Sequence, residues 1–208
     1  MSLDFCRRFI LVSSAHEEIF MNHAQAFMSS FALRKGNSVL LNALIVISGA
    51  MLLSVLAQLS VKLPFTPVPV TGQTFGVALL SLVWGRDRGV ASVLLYLSAG
   101  FAGLPVFALG KSGLMWGPTF GYLIGMLLAS YYIGSQADRG RAQNFSEALR
   151  AVYVGSLLTF ICGLFVLSFF IPTHGLLLAG LWPFLAGDCL KNILASGLAF
   201  IFYRRAGA

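Results

Sequence analysis

Long apolar stretches, each ended by a short polar or proline-containing segment, follow one another along most of the chain. An α-helix rises about 1.5 Å per residue, so about 20 apolar residues cross the hydrocarbon core of a membrane. The pattern predicts six membrane-spanning helices, over about 39–61, 71–84, 89–104, 119–134, 148–171 and 183–203. The second and third are short for a full span, and residues 176–181 are a candidate re-entrant helix.

The composition supports a membrane location. Of the 208 residues, 58% are hydrophobic and only 10% are charged, whereas a soluble domain carries about 25% charged residues. An apolar exterior is stable in lipid, where helices satisfy their own backbone hydrogen bonds. We therefore expect an all-α integral membrane protein with one transport domain over residues 39–205.

The basic residues predict the orientation in the membrane. The chain has 14 Lys and Arg against 7 Asp and Glu, and the basic residues lie at the ends of apolar stretches. That placement favours a topology signal over nucleic-acid binding. With both termini in the cytoplasm, the outer loops hold only Lys62 and Lys111, while the inner segments hold nine basic residues, namely Arg34, Lys35, Arg86, Arg88, Arg139, Arg141, Arg150, Arg204 and Arg205.

Residues 1–38 do not fit the pattern of spans. The apolar stretch after Arg7 and Arg8 is too short for a signal peptide. We expect an N-terminal arm that is mobile or lies at the membrane interface.

Motifs of soluble enzymes are not found. Gly110-Lys111-Ser112 resembles the end of a phosphate-binding loop, but Pro105 stands where that loop requires a glycine. The three cysteines have no metal-ligand spacing, and no set of Ser, His and Asp is available within the spans. We predict no catalytic residue, cofactor or metal site, and energy for transport would come from a partner or an ion gradient.

Asp188 and Lys191 are the acid and the base that lie well inside a predicted span. At a spacing of three they share one helix face, about 7 and 12 Å below the outer end of the helix that begins near Pro183. Burying an ionisable group at that depth costs at least about 2.5 kcal/mol. Two interpretations follow: an internal ion pair, or a polar pocket in which Lys191 binds a carboxylate and Asp188 accepts N–H groups.

Two further segments open spans on the same side of the membrane. Thr71 and Gln73 directly follow the proline-rich segment 63–70, which is typical of a lid over an external cavity. Trp116 and Tyr122 flank the start of the fourth span. The alternatives are that Trp116 and Tyr122 belong to the aromatic belt at the membrane interface and that Gln73 satisfies a broken helix end.

The first span contains a pair of small residues, Ala50 and Ser54, at a spacing of four. Such a step allows another helix to approach closely. It is a candidate docking site for a partner helix.

Five segments carry a family resemblance, and they occur in the order LPFTPVPVTGQT (63–74), GRDRG (85–89), GLPVF (103–107), GPTFGY (117–122) and PFLAGDCLK (183–191). They resemble the BioY biotin transporters, the biotin-specific substrate-binding (S) components of energy-coupling-factor (ECF) transporters. The resemblance covers about residues 41–203 and leaves the N-terminal arm outside.

The resemblance implies a six-helix S-component fold in a bacterial inner membrane, with a biotin pocket near the outer face and the proline-rich segment as its lid. It also implies that Asp188 and Lys191 contact biotin, helped by the segment around Gln73 and by Thr119 and Tyr122. The face of the first span would dock on a membrane coupling subunit driven by two ATPase subunits. Family members usually carry Ala-xxx-Ala at this step, where this chain has Ala50-xxx-Ser54.

Two other functions remain open at this point. One is an S component for a different vitamin, although thiamine and riboflavin do not obviously need the charges of both Asp188 and Lys191. The other is a stand-alone secondary transporter, which would be expected to have more titratable groups along its path.

Overall fold

The computed structural model describes residues 39–113 and 116–206. The expected N-terminal arm, residues 1–38, lies outside this range. Six α-helices and one pair of short strands occur in the described residues, in the order α1 Val39–Gln58, β1 Ser60–Val61, β2 Val70–Thr71, α2 Gln73–Phe101, α3 Phe120–Asp138, α4 Phe145–Leu167, α5 Thr173–Gly180 and α6 Trp182–Arg205. By length and composition, three helical segments of the described part can cross a membrane: Val39–Gln58, Phe145–Leu167 and Thr173–Arg205.

The helix α2 folds back on itself at Gly85. The backbone there is not helical, with φ 78° and ψ −172°, and a positive φ favours glycine. The Gln73 side chain donates to the hydroxyl of Tyr96, whereas a straight helix would separate these two residues by about 35 Å. The two arms, residues 73–84 and 86–101, are therefore antiparallel. They overlap the second and third predicted spans, and the turn falls at Gly85, where the sequence places the charged segment 85–89.

Asp138, at the end of α3, secures this turn. Its carboxylate accepts the backbone N–H of Arg86 at 3.2 Å, one of the N–H groups that the start of a helical arm leaves without an intrahelical partner. The turn packs closely against α3, because Gly134 lies directly against the backbone of Gly85 and Arg86.

The proline-rich segment between β1 and β2 is folded down onto the helices. The two strands pair antiparallel, with Ser60 opposite Thr71. Thr66 is buried, and its hydroxyl donates to the carbonyl oxygen of Ala179 at 2.6 Å. Val68 is also buried. We call residues 62–69 the lid.

The helix α1 packs against α2 through a face of mostly small residues, namely Ile45, Gly49, Ala50, Leu53 and Ala57. Ala50 is only 8% exposed and belongs to a core that also contains Val77 and Tyr96. The hydroxyl of Ser54, which is half-buried, donates to the carbonyl oxygen of Ala50 at 2.8 Å. Ala50 thus allows close approach within this chain. Docking of a partner helix on Ala50 and Ser54 stays a prediction.

Large apolar side chains cover the outer faces of the long helices. Met51 on α1, Leu157 on α4 and Leu198 on α6 are each between 47% and 64% exposed. Extended apolar surface is rare on soluble monomers and typical of contact with lipid or another protein. The fold therefore agrees with the membrane location that the composition predicts.

Candidate functional site

A cavity lies between the lid, the two ends of α2, the start of α3, the middle of α4 and the first half of α6. The volume of the cavity is about 140 Å³. Its apolar walls include Phe107, Phe160 and Phe184, and its polar wall residues are Thr71, Gln73, Thr74, Lys111, Thr119, Tyr122, Ser156, Thr159, Asp188 and Lys191. A largely apolar cavity with a few convergent polar groups is typical of a small-molecule site.

Asp188 forms part of one wall of the cavity. Pro183 stands in the first turn of α6, where a missing backbone N–H does not weaken the helix, and Asp188 follows about one and a half turns later. The Asp188 side chain is 6% exposed. Its Oδ1 accepts the hydroxyl of Ser156 at 3.2 Å, and its Oδ2 accepts the amide of Asn192 at 2.9 Å.

Lys191 extends from α6 to the start of α2 rather than to Asp188. Its Nζ donates to the carbonyl oxygen of Thr71 at 2.7 Å and lies 3.4 Å from Oγ1 of Thr74. The ion pairs within 4 Å among the described residues are Arg86–Asp87 and Arg150–Glu147. An internal ion pair between Asp188 and Lys191 is therefore not formed, because the long lysine side chain carries its ammonium group to a different wall.

Gln73 and Thr71 connect the lid to the cavity wall. Gln73 is 6% exposed and lines the cavity. Its amide oxygen accepts the Thr71 hydroxyl at 2.9 Å, while its amide nitrogen donates to Tyr96. Gln73 thus has two protein partners, Thr71 and Tyr96, and also lines the cavity. Its position agrees both with a role at the helix end and with a role in the site.

The predicted residues at the start of α3 divide into two groups. Thr119 and Tyr122 line the cavity, and the Tyr122 hydroxyl donates to the carbonyl oxygen of Gly180 at 2.7 Å. Trp116 is not among the lining residues. Its ring is 66% exposed and packs against Phe120, with 5.3 Å between the ring centroids. That position favours the interface-belt interpretation, and a contact between Trp116 and a ligand stays a prediction.

Five polar residues at or near the cavity are absent from the prediction, namely Thr74, Lys111, Ser156, Thr159 and Asn192. Ser156 lines the cavity and donates a hydrogen bond to Asp188. Asn192 also donates to Asp188, but it is not one of the residues that line the cavity. Asn192 lies four residues after Asp188, a helical spacing that the sequence already contains. Lys111 also lines the cavity, although the sequence indicates only a loop there.

Comparison with known proteins identifies the family. The model of the BioY family matches residues 26–207. The chain belongs to the BioY family. A biotin transporter BioY from Thermotoga maritima is 34% identical over 142 residues, which cover 67% of this chain and 83% of that protein. The biotin transporter BioY2 from Lactococcus lactis is 33% identical, over 79% of this chain and 92% of its own length.

A solved structure extends the similarity to the fold. It is the crystal structure of the S-component for biotin from an ECF-type ABC transporter, with a TM-score of 0.72 and 27% sequence identity. The alignment covers 78% of this chain and 90% of the other. The sequence comparisons therefore show that the chain is a member of the BioY family, and the structural comparison shows a helical fold similar to that of an S component.

Proposed function

We propose that this protein captures biotin from outside the cell and takes part in its uptake into the cytoplasm. The proposal rests on the cavity. In this member of the BioY family, Asp188 and Lys191 both line the cavity, and their charged groups lie on separate walls. Biotin offers a carboxylate, a ureido group with two donors and one acceptor, and an apolar bicycle and tail. A cavity with a cation, an anion, an amide and aromatic walls complements each of these groups.

We assign the carboxylate of biotin to Lys191 and the ureido N–H groups to Asp188. The Lys191 ammonium carries three N–H donors, and the contacts to Thr71 and Thr74 leave one for a ligand. Charge-assisted hydrogen bonds of this kind are strong in a site without bulk water. Gln73, Thr71, Thr119 and Tyr122 complete the polar lining, and phenylalanine rings pack on the bicycle.

We further propose six membrane spans with both termini in the cytoplasm of a bacterial cell. The two antiparallel arms of α2 then count as two spans, joined at Gly85 on the cytoplasmic side. The charge distribution supports this orientation. Arg86 lies at the turn and Arg139 at the end of α3, whereas Lys62 is the first residue of the lid and Lys111 lines the cavity. The cavity then opens to the outside, where the lid covers it.

We propose that transport depends on a membrane coupling subunit and two ATPase subunits. The solved relative is described as part of an ECF-type ABC transporter, and no phosphate-binding loop is found in this sequence. With Ala50 buried, the exposed face of α1 around Met51 and Val55 is the surface that we assign to the coupling subunit. A different vitamin as ligand, or transport without partners, remains the alternative.

Uptake of labelled biotin by cells that lack their own biotin transporter tests this proposal. We expect uptake above the empty-vector level when the protein is expressed with a coupling module, and loss of that uptake when the ATPase subunits are inactivated. Uptake that persists without the module would instead indicate a stand-alone transporter. Uptake at the empty-vector level, with the complete complex present in the membrane, would contradict biotin transport.

A further inference from the structure

Asn192 is a buried polar residue that none of the functions above requires. It is 1% exposed and lies on α6, one helical turn after Asp188. It is not among the residues that line the cavity. Burying an amide is unfavourable unless its hydrogen bonds are made, so the partners of Asn192 indicate what the residue does.

Asn192, Ser156 and Asp188 form a closed set of hydrogen bonds. The Asn192 amide nitrogen donates to Oδ2 of Asp188 at 2.9 Å and to the Ser156 hydroxyl at 3.0 Å. The Ser156 hydroxyl lies 3.2 Å from Oδ1 of Asp188 and 3.3 Å from Oδ1 of Asn192, so these two acceptors share its single proton. Each oxygen of the carboxylate therefore lies within hydrogen-bond distance of one donor from the protein.

This arrangement determines what Asp188 offers to a ligand. Its two oxygens have about four acceptor positions in total, and the two donors leave the others for N–H groups in the cavity. A carboxyl group that is held in one orientation and keeps acceptor positions open to the cavity favours ligands that present N–H groups.

We propose that Asn192 is a positioning residue that holds Asp188 as a fixed acceptor and thereby selects ligands with N–H donors. The inference rests on the proposed function, in which Asp188 accepts the ureido N–H groups of biotin. Asn192 acts without contact with the ligand, as supporting residues do when they hold a binding group in its productive geometry.

Selectivity between two ligands tests this role. We would measure the affinity of the purified protein for biotin and for an analogue in which one ureido N–H is replaced by N–CH₃. Replacing Asn192 by leucine (Asn192→Leu), which has similar volume and no donor, is expected to lower the affinity for biotin at least tenfold. It should also reduce the preference for biotin over the analogue at least fivefold, as should Asp188→Asn. Asn192→Ser provides a second, smaller variant if the leucine variant does not fold.

Ser196→Ala is the matched control. Ser196 lies one further turn along α6, is fully buried, and has no hydrogen-bond partner among the described residues. We expect the affinities of Ser196→Ala for biotin and for the analogue to stay within about threefold of the wild-type values. If an Asn192 variant loses affinity for biotin and for the analogue by the same factor, the role of Asn192 is purely structural and the inference is overturned. A wild-type protein that does not bind biotin would instead overturn the proposed function, and the inference with it.

Discussion

Replacement of Lys191 by methionine (Lys191→Met) is expected to weaken biotin binding by at least about 2 kcal/mol, roughly 30-fold in the dissociation constant. Methionine keeps an unbranched apolar chain but removes the ammonium group. The ligand carboxylate would then be buried without the cation that we assign to it, and an unpaired buried charge is strongly unfavourable. Titration calorimetry of the purified variant in detergent, beside the wild type, measures the loss.

Lys111→Met is the matched control for this prediction. Lys111 also lines the cavity, but its side chain is exposed, and solvent-exposed charges contribute little to an ion pair. We expect a change of less than about threefold in the dissociation constant. Equal losses in the two variants would indicate a general effect of positive charge, and an unchanged affinity of Lys191→Met would remove this residue from the site.

Substitution of Gly134 by alanine (Gly134→Ala) is expected to lower the free energy of unfolding by about 2 kcal/mol, within the range found for overpacked cores. A Cβ at this position would lie 2.6 Å from the backbone nitrogen of Arg86 and 2.8 Å from the carbonyl carbon of Gly85. Backbone atoms cannot rotate away as a flexible side chain can. The apparent melting temperature in detergent should fall by about 4–8 °C for a protein of this size.

Gly197→Ala provides the comparison for Gly134→Ala. Gly197 is also helical, and apart from its chain neighbours and the backbone of its own helix no atom lies within 4 Å of the Cβ that the substitution adds. Alanine is the better helix former by about 1 kcal/mol, so the melting temperature should stay the same or rise slightly. A melting temperature of Gly134→Ala equal to that of the wild type would show that α3 does not pack on the Gly85 turn as described.

The sequence predicts the elements well where single residues end a helix. Pro172 precedes α5, and Pro183 stands in the first turn of α6. The turn at Gly85 is also evident, because charged residues interrupt an apolar stretch there. The position of the lid is less accessible to sequence analysis, since the hydrogen bond between Thr66 and Ala179 joins residues 113 positions apart.

The site is predicted in part for a similar reason. Helical spacing places Asp188 and Lys191 on one face of α6, and the structure places both on the cavity. The partner of each charge depends on tertiary packing, which brings Ser156 to Asp188 and Thr71 to Lys191. The same packing turns Ala50 inward and Trp116 away from the cavity. The spacing of residues along one helix defines its faces, but it does not say which distant segment each face will contact.

Titration of the purified wild-type protein with biotin, beside thiamine and riboflavin, tests the central claim most directly. We predict saturable binding of one biotin per chain, with a dissociation constant at least a hundredfold lower than that of either other vitamin, or about 2.8 kcal/mol. A folded protein that gives no heat with biotin, or that binds another vitamin more tightly, would contradict the assignment of biotin as the ligand.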